Sequence, residues 1–167
     1  MTRWQAGLYA EGVSQHLVDK PRGSIRSASS RCMVPGTSLG LAATDTTDLI
    51  RQVEHGLSFK ALQMFAANSG LAVAEITSVV GIPERTLARR KAAAKLTPNE
   101  SERLVRVATV FDKAIQLFEG DVTAAVKWLT SPKKGLNDRS PLDYCRTELG
   151  AREVENLIGR LEHGVFS

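Results

Sequence analysis

Four consecutive residues, Thr97-Pro98-Asn99-Glu100, limit what this chain can fold into more than any others. The threonine hydroxyl can cap a helix, proline is tolerated at the first helical position, and a glutamate three residues after the cap closes a capping box. Beyond this start Leu104, Val107, Ala108, Phe111, Ala114, Ile115 and Phe118 recur at helical spacing as far as Gly120. They cover about two sides of a helix of some twenty residues, roughly 30 Å long. Such a helix can join whatever precedes it to whatever follows, and it offers a surface for pairing two copies of the chain.

Shorter helices are predicted on either side, so the fold class is all-α. Leu49, Ile50 and Val53 mark a first helix, with Thr46 or Thr47 as its cap and Gly56 as its stop. Ser58 opens a second, with Phe59, Leu62, Phe65 and Ala66 on one face and Asn68-Ser69-Gly70 at its end. A third spans residues 72–80 with Ile76, Val79 and Val80 inward. Gly81 then turns the chain, and Pro83 opens a fourth helix with Leu87 inward. After Gly120, Asp121 caps a helix carrying Val122, Ala125, Trp128 and Leu129, which Pro132 ends. Residues 133–139 read as a loop, Ser140-Pro141 restarts a short helix through Cys145, and Gly150 separates that from the closing helix. On the closing helix Val154, Leu157, Ile158 and Leu161 form one apolar stripe, and Gly164 supplies a left-handed stop.

Residues 1–44 show no sustained period. The run Ser24-Ile25-Arg26-Ser27-Ala28-Ser29-Ser30, with Pro21, Pro35 and repeated glycines, cannot bury enough surface to offset ordering, so a disordered extension is expected. Trp4, Leu8, Tyr9 and Leu17 could form a marginal helix without an assigned role, and Met33 could be the natural start. Elsewhere the apolar share of 43% is enough for a core, no run reaches the length of a membrane span, and no secretory signal opens the chain. Cys32 and Cys145 stand far apart, so neither a disulfide framework nor a metal spacing can be drawn, and a cytoplasmic location is expected. His16, His55 and His163 fall in three separate contexts, and no phosphate-cradling glycine loop is present. An enzyme, a metal site and a bound cofactor are therefore not expected.

Charge is concentrated rather than spread. The chain carries +4 overall, yet residues 83–95 alone hold Arg85, Arg89, Arg90, Lys91 and Lys95 against Glu84. A local cationic segment in a nearly balanced body suits a localised anionic partner. Two short helices joined by a glycine turn, the second basic, make the helix-turn-helix pattern, with Ile82 and Leu87 inward. Two residues depart from it: Thr77 stands where alanine is usual, and Arg90 where an apolar side chain often anchors the second helix. On this reading Arg85, Thr86 and Arg89 approach base edges, because arginine can grip guanine bidentately, while Arg90, Lys91 and Lys95 hold phosphates. A packed helix pair with a solvated basic face is the competing interpretation.

After Gly164 come Val165, Phe166 and Ser167 with the terminal carboxylate. An aromatic beside a negative charge, directly after a rigid stop, can either fold back onto this chain's own core or be presented to a partner. Periodicity leaves both open.

Taken in order, Phe118-Glu119-Gly120-Asp121, Ala124-Ala125, Trp128-Leu129, Leu136, Ser140-Pro141-Leu142-Asp143, Gly150-Ala151-Arg152-Glu153-Val154 and Gly159-Arg160-Leu161-Glu162-His163-Gly164 resemble the Xre/MbcA/ParS toxin-binding domain. Residues 82–90, with Leu96-Thr97-Pro98-Asn99-Glu100-Ser101, are similar to the Xre-like helix-turn-helix that precedes it in that family. The resemblance covers residues 45–167 and implies a helix-turn-helix domain at 45–96 and a toxin-binding domain with a C-terminal plug at 97–167; the extension at 1–44 finds no counterpart in it. It also implies a type II antitoxin whose partner is a RES-domain toxin that attacks NAD⁺. Its C-terminal end would enter the toxin's active site, and it would bind operator DNA to regulate its own promoter. The homodimer is expected separately, because one helix-turn-helix module makes too few contacts for useful specificity. Arg160, Glu162, His163, Gly164, Val165, Phe166 and Ser167 are the implied toxin contacts, with Trp128 either extending them or serving the core. The alternative is a stand-alone helix-turn-helix regulator whose C-terminal half only dimerises; a helical scaffold without DNA binding is a third reading.

Overall fold

The capping box forms as its residues dictate. Thr97 Oγ1 accepts from the Glu100 N–H at 3.3 Å, and Glu100 Oε2 accepts from the Thr97 N–H at 2.8 Å. In the structure, a computed structural model that describes residues 36–43 and 45–164, the helix so opened is the centre of the molecule. The order is a 3-10 turn (Thr37–Leu39), α1 (Thr46–His55), α2 (Phe59–Ser69), α3 (Val73–Val80), α4 (Glu84–Ala92), α5 (Pro98–Leu117), α6 (Val122–Thr130), a second 3-10 turn (Lys134–Leu136), α7 (Pro141–Tyr144) and α8 (Glu148–Glu162). Two isolated antiparallel bridges, Ser58 with Lys95 and Lys133 with Arg139, complete the described residues.

Both apolar sides of α5 are covered by its own chain. It packs against α1, α2, α3, α6, α8 and the first 3-10 turn, and Leu104, Val107, Ala108, Val110, Phe111 and Ala114 are buried. The surface expected to pair two copies is therefore core, because both neighbouring sets of helices need it to bury their stripes. Phe65 of α2 meets Phe111 edge-on, with ring centroids 5.4 Å apart. One continuous core runs from Leu39 to Ile158.

Several local expectations are corrected. Asp45, not a threonine, caps α1 by accepting from the Asp48 N–H at 2.8 Å. Ile50, one of the residues that mark α1, is half exposed. Pro83 is the N-cap of α4 and not its first residue. Gly150 does not separate two helices: α8 starts before it, capped by Thr147, whose Oγ1 accepts from the Gly150 N–H at 3.0 Å. A glycine is required there because a Cβ would overlap the Tyr144 carbonyl oxygen.

The expected boundary at residue 44 also moves. Residues 36–43 pack as part of the body, with Leu39 fully buried. Gly36 and Gly40, both left-handed, bracket a single 3-10 turn. Asp112 of α5 holds it in place, accepting from the Gly36 N–H at 3.1 Å and the Ser38 N–H at 3.3 Å, while Asn68 donates to the Ser38 carbonyl at 2.8 Å. The disorder expected for residues 1–35, and the marginal helix at Trp4, Leu8, Tyr9 and Leu17, lie outside the described residues.

Two buried carboxylates on α5 titrate in opposite directions. For Asp112, burial is the largest influence and pushes its carboxyl above the ordinary value, only partly offset by the hydrogen bonds from Ser38, Thr37 and Gly36. Burial also pushes Glu100 up, but the Thr97 N–H and the Arg90 guanidinium together outweigh it and hold its carboxyl below the ordinary value. Arg90 Nε lies 3.0 Å from Glu100 Oε1 and 2.9 Å from Oε2.

Gly150→Ala should cost about 2–3 kcal/mol in urea unfolding, as an overpacked core site does. Gly159→Ala, on a face of α8 where a Cβ meets nothing, should instead gain about 0.5–1 kcal/mol from helix propensity. A carboxylate whose pKa is lowered on folding stabilises above its unfolded pKa, and that contribution is lost as pH falls toward the folded value. Unfolding midpoints of the wild type should therefore fall relative to Glu100→Gln as pH drops below the ordinary carboxylate range. A constant difference across that window would contradict the assignment.

Candidate functional site

The basic segment becomes the most exposed helix of the body. No residue of α4 is buried, and only Leu87 packs partly against the core. Gly81, left-handed at φ 77°, closes α3 and makes the turn, and buried Ile82 pins it. Thr77, at the position where alanine is usual, is accommodated because its hydroxyl donates to the Ala74 carbonyl at 3.1 Å. Arg103 of α5 donates to the Val80 carbonyl at 3.4 Å, satisfying an acceptor at the end of α3. Nothing in the sequence pattern singled Arg103 out.

At about 100° per residue, Arg85 and Arg89 share one face of α4, Thr86 borders it, and Leu87 and Arg90 turn toward the body. Arg85, Arg89, Lys91 and Lys95 are exposed and form no ion pair with any described residue. Arg90 separates from this set. Its side chain is only 19% exposed and pairs with Glu100, itself 11% exposed. Its Nε, expected to serve a phosphate contact with the rest of the guanidinium, is engaged inside the protein, since an arginine facing the body needs a buried acceptor. Past α4, Ala94 adopts a left-handed φ of 52°. The Phe59 N–H then donates to the Ala94 carbonyl at 2.9 Å and the Leu96 N–H to the Leu57 carbonyl at 2.8 Å. An exposed cationic face whose charges are not taken up by ion pairs can take up an anionic polymer.

The second surface lies at the other end of α5. Trp128 of α6 is half-buried between the Phe118 ring, 6.4 Å away between centroids, and Lys133, whose Nζ sits 5.5 Å from its ring centre. It therefore packs against the core while remaining partly exposed. At the end of α8 and just after it, Arg160, Glu162, His163 and Gly164 are all exposed, and Glu155, Asn156, Gly159, Arg160 and His163 line an open groove. Gly164, at φ 64°, ends the described chain in the left-handed conformation. Val165, Phe166 and Ser167 lie outside the described residues. Leu149, 76% exposed in the first turn of α8, is an apolar surface residue that periodicity did not mark. The two surfaces share one body: Arg146, after α7, donates to Ser78 of α3 at 2.7 Å and pairs with Asp143 at 2.8 Å.

Cys145 is buried, and burial, with Glu155 adding to it, pushes its thiol up to about 12, so it packs as an inert apolar group. Among the described residues no cluster of His, Cys, Asp and Glu could hold a metal ion, and no helix is long and apolar enough to cross a membrane.

Comparison with known proteins matches both halves. Residues 48–108 fit the antitoxin Xre-like helix-turn-helix domain, and residues 113–164 fit the antitoxin Xre/MbcA/ParS C-terminal toxin-binding domain. The two matches meet within α5. A protein of Yersinia enterocolitica named antitoxin Xre is 44% identical over 130 residues, spanning 77% of this chain and 88% of its own. Proteins of the same name from Photorhabdus laumondii and Pseudomonas putida are 42% and 33% identical, over 56% and 50% of this chain and 64% and 52% of theirs. With an exposed basic helix in a matched helix-turn-helix domain and a matched toxin-binding domain packed on the same central helix, this chain belongs to the Xre/MbcA/ParS family of antitoxins.

Proposed function

We propose that this chain silences a RES-domain toxin that consumes NAD⁺, and that it binds operator DNA upstream of its own gene as a homodimer. The observation that carries the reading is the pairing of two features on one body: a helix whose exposed cations Arg85, Arg89 and Lys91 form no ion pair with any described residue, and a toxin-binding domain whose last helix ends in exposed polar residues. A pocket that cleaves NAD⁺ has to receive phosphates, so it presents cations and hydrogen-bond donors. Glu162 and His163 meet the rim of such a pocket, and the segment after Gly164, with Phe166 as a flat apolar anchor, enters it. Arg160 and the exposed part of Trp128 widen the contact. On the DNA side Arg85, Thr86 and Arg89 read bases, while Lys91 and Lys95 hold phosphates. One such module makes few contacts, so useful specificity calls for two half-sites and two copies.

The two surfaces should separate by mutation. Removing residues 164–167 should abolish rescue of cells co-expressing the adjacent toxin gene while leaving the gel shift of the upstream duplex intact. Arg85→Ala with Arg89→Ala should do the reverse, weakening the shift at least tenfold, the scale of lost base contacts, with rescue unchanged. Full rescue by the truncated chain would sink the plug, and an unchanged shift by the double variant would sink the DNA-facing helix.

A further inference from the structure

A recognition helix can read bases only as accurately as it is itself held, and α4 is lightly held. It contributes no buried residue, and Leu87 is its only apolar side chain packed against the core. An apolar contact of that kind is non-directional and lets a helix roll. The backbone links from Ala94 and Leu96 to Phe59 and Leu57 come after the helix; they set its exit and not its rotation. Arg90 is the directional contact. Three residues beyond Leu87, on the same side, it places Nε between both oxygens of Glu100. Glu100 is fixed in turn, because its Oε2 also accepts from the Thr97 N–H and its own N–H is capped by the Thr97 hydroxyl. The carboxylate thus belongs to the rigid first turn of the central helix, and a charge-assisted hydrogen bond there is about twice as strong as a neutral one.

We infer that Arg90 is a positioning residue for DNA recognition: through Glu100 it sets the roll of α4 on α5, and so the stand of Arg85, Thr86 and Arg89 against the bases, without touching phosphate. This rests on the reading of α4 as the DNA-facing helix. It replaces a cation in the phosphate-binding set by an ion pair internal to the protein, which makes an acid, Glu100, necessary for binding an anion.

That inversion supplies the test. The full chain and its variants are titrated with the duplex spanning the DNA upstream of its gene, and with an unrelated duplex, over a range of salt concentrations. Thermal melts confirm that each variant is folded at the assay temperature. Glu100→Ala and Arg90→Ala should each weaken the upstream duplex roughly tenfold, the cost of misplacing one base contact. Both should affect the unrelated duplex less and leave the salt slope unchanged, whereas Lys91→Ala should lower that slope by about one. Were Arg90 a phosphate ligand, Glu100→Ala would free it and raise the net charge, so equal or tighter binding by that variant overturns the inference. So does a salt slope lowered by Arg90→Ala in step with Lys91→Ala. Should Arg90→Ala not fold, Arg90→Met with Glu100→Gln removes both charges and keeps a capping acceptor. A loss confined to the upstream duplex at unchanged slope supports positioning; a lower slope, or no loss, overturns it. If Arg85→Ala with Arg89→Ala leaves the titration unchanged, the DNA-facing reading falls and this inference with it. If that pair weakens binding while Glu100→Ala does not, only this inference falls.

Discussion

Burying both apolar sides of α5 is the requirement that the rest of the structure satisfies. A helix with apolar residues on two of its sides is stable in water only when other elements cover both. Here α1, α2 and α3 approach from one part of the chain and α6 and α8 from another. Each of those short helices has a single apolar stripe, and none is long enough to be stable alone. The enclosure is mutual: α5 gives every stripe a place to bury, and the stripes keep α5 out of water. The helix-turn-helix and toxin-binding matches therefore meet inside a helix and not at a linker.

Polar groups decide how that core is arranged. Ser101, fully buried on α5, accepts from the Leu57 N–H at 2.8 Å and donates to the Thr97 carbonyl at 2.7 Å, so the end of α1 and the start of α5 are locked in register. Asp112 fixes the first 3-10 turn from the opposite end of the same helix. Arg106 Nε sits 2.7 Å from Glu148, and Lys113 Nζ 2.6 Å from Glu155, tying α8 alongside. Apolar burial supplies most of the stability, but it is indifferent to rotation and sliding. These directional contacts select one arrangement among many of similar buried area.

Much of the fold is legible in the residues, and the misses share a cause. Capping boxes, glycine stops and apolar periods are local, and the helices they predict are present with ends close to those expected. Thr97-Pro98-Asn99-Glu100, Gly70, Gly81, Asp121 and Ser140-Pro141 all act as their chemistry dictates. Leu39, by contrast, stands in a polar stretch without period, and only the arrival of α2 and α5 gives it a place to bury. Its one advance signal was on α5, where an acid, Asp112, follows Phe111 on an otherwise apolar surface. Gly150 looked like punctuation because a sequence does not show that the Tyr144 carbonyl will lie against it.

The same division runs through the candidate sites. Sequence alone established an all-α chain, a basic helix after a glycine turn, and an apolar closing helix halted by Gly164, because each depends on neighbours within about one helical turn. Which cations face solvent could not be read that way. Arg89 and Arg90 are adjacent and chemically identical, yet one is free and the other is held against Glu100. That difference depends on where α4 lies against α5, ten residues along the chain but in direct contact in space. Only the tertiary structure brings a guanidinium and a carboxylate to hydrogen-bonding distance, and that contact determines which of two neighbouring arginines serves the protein's surface and which its interior.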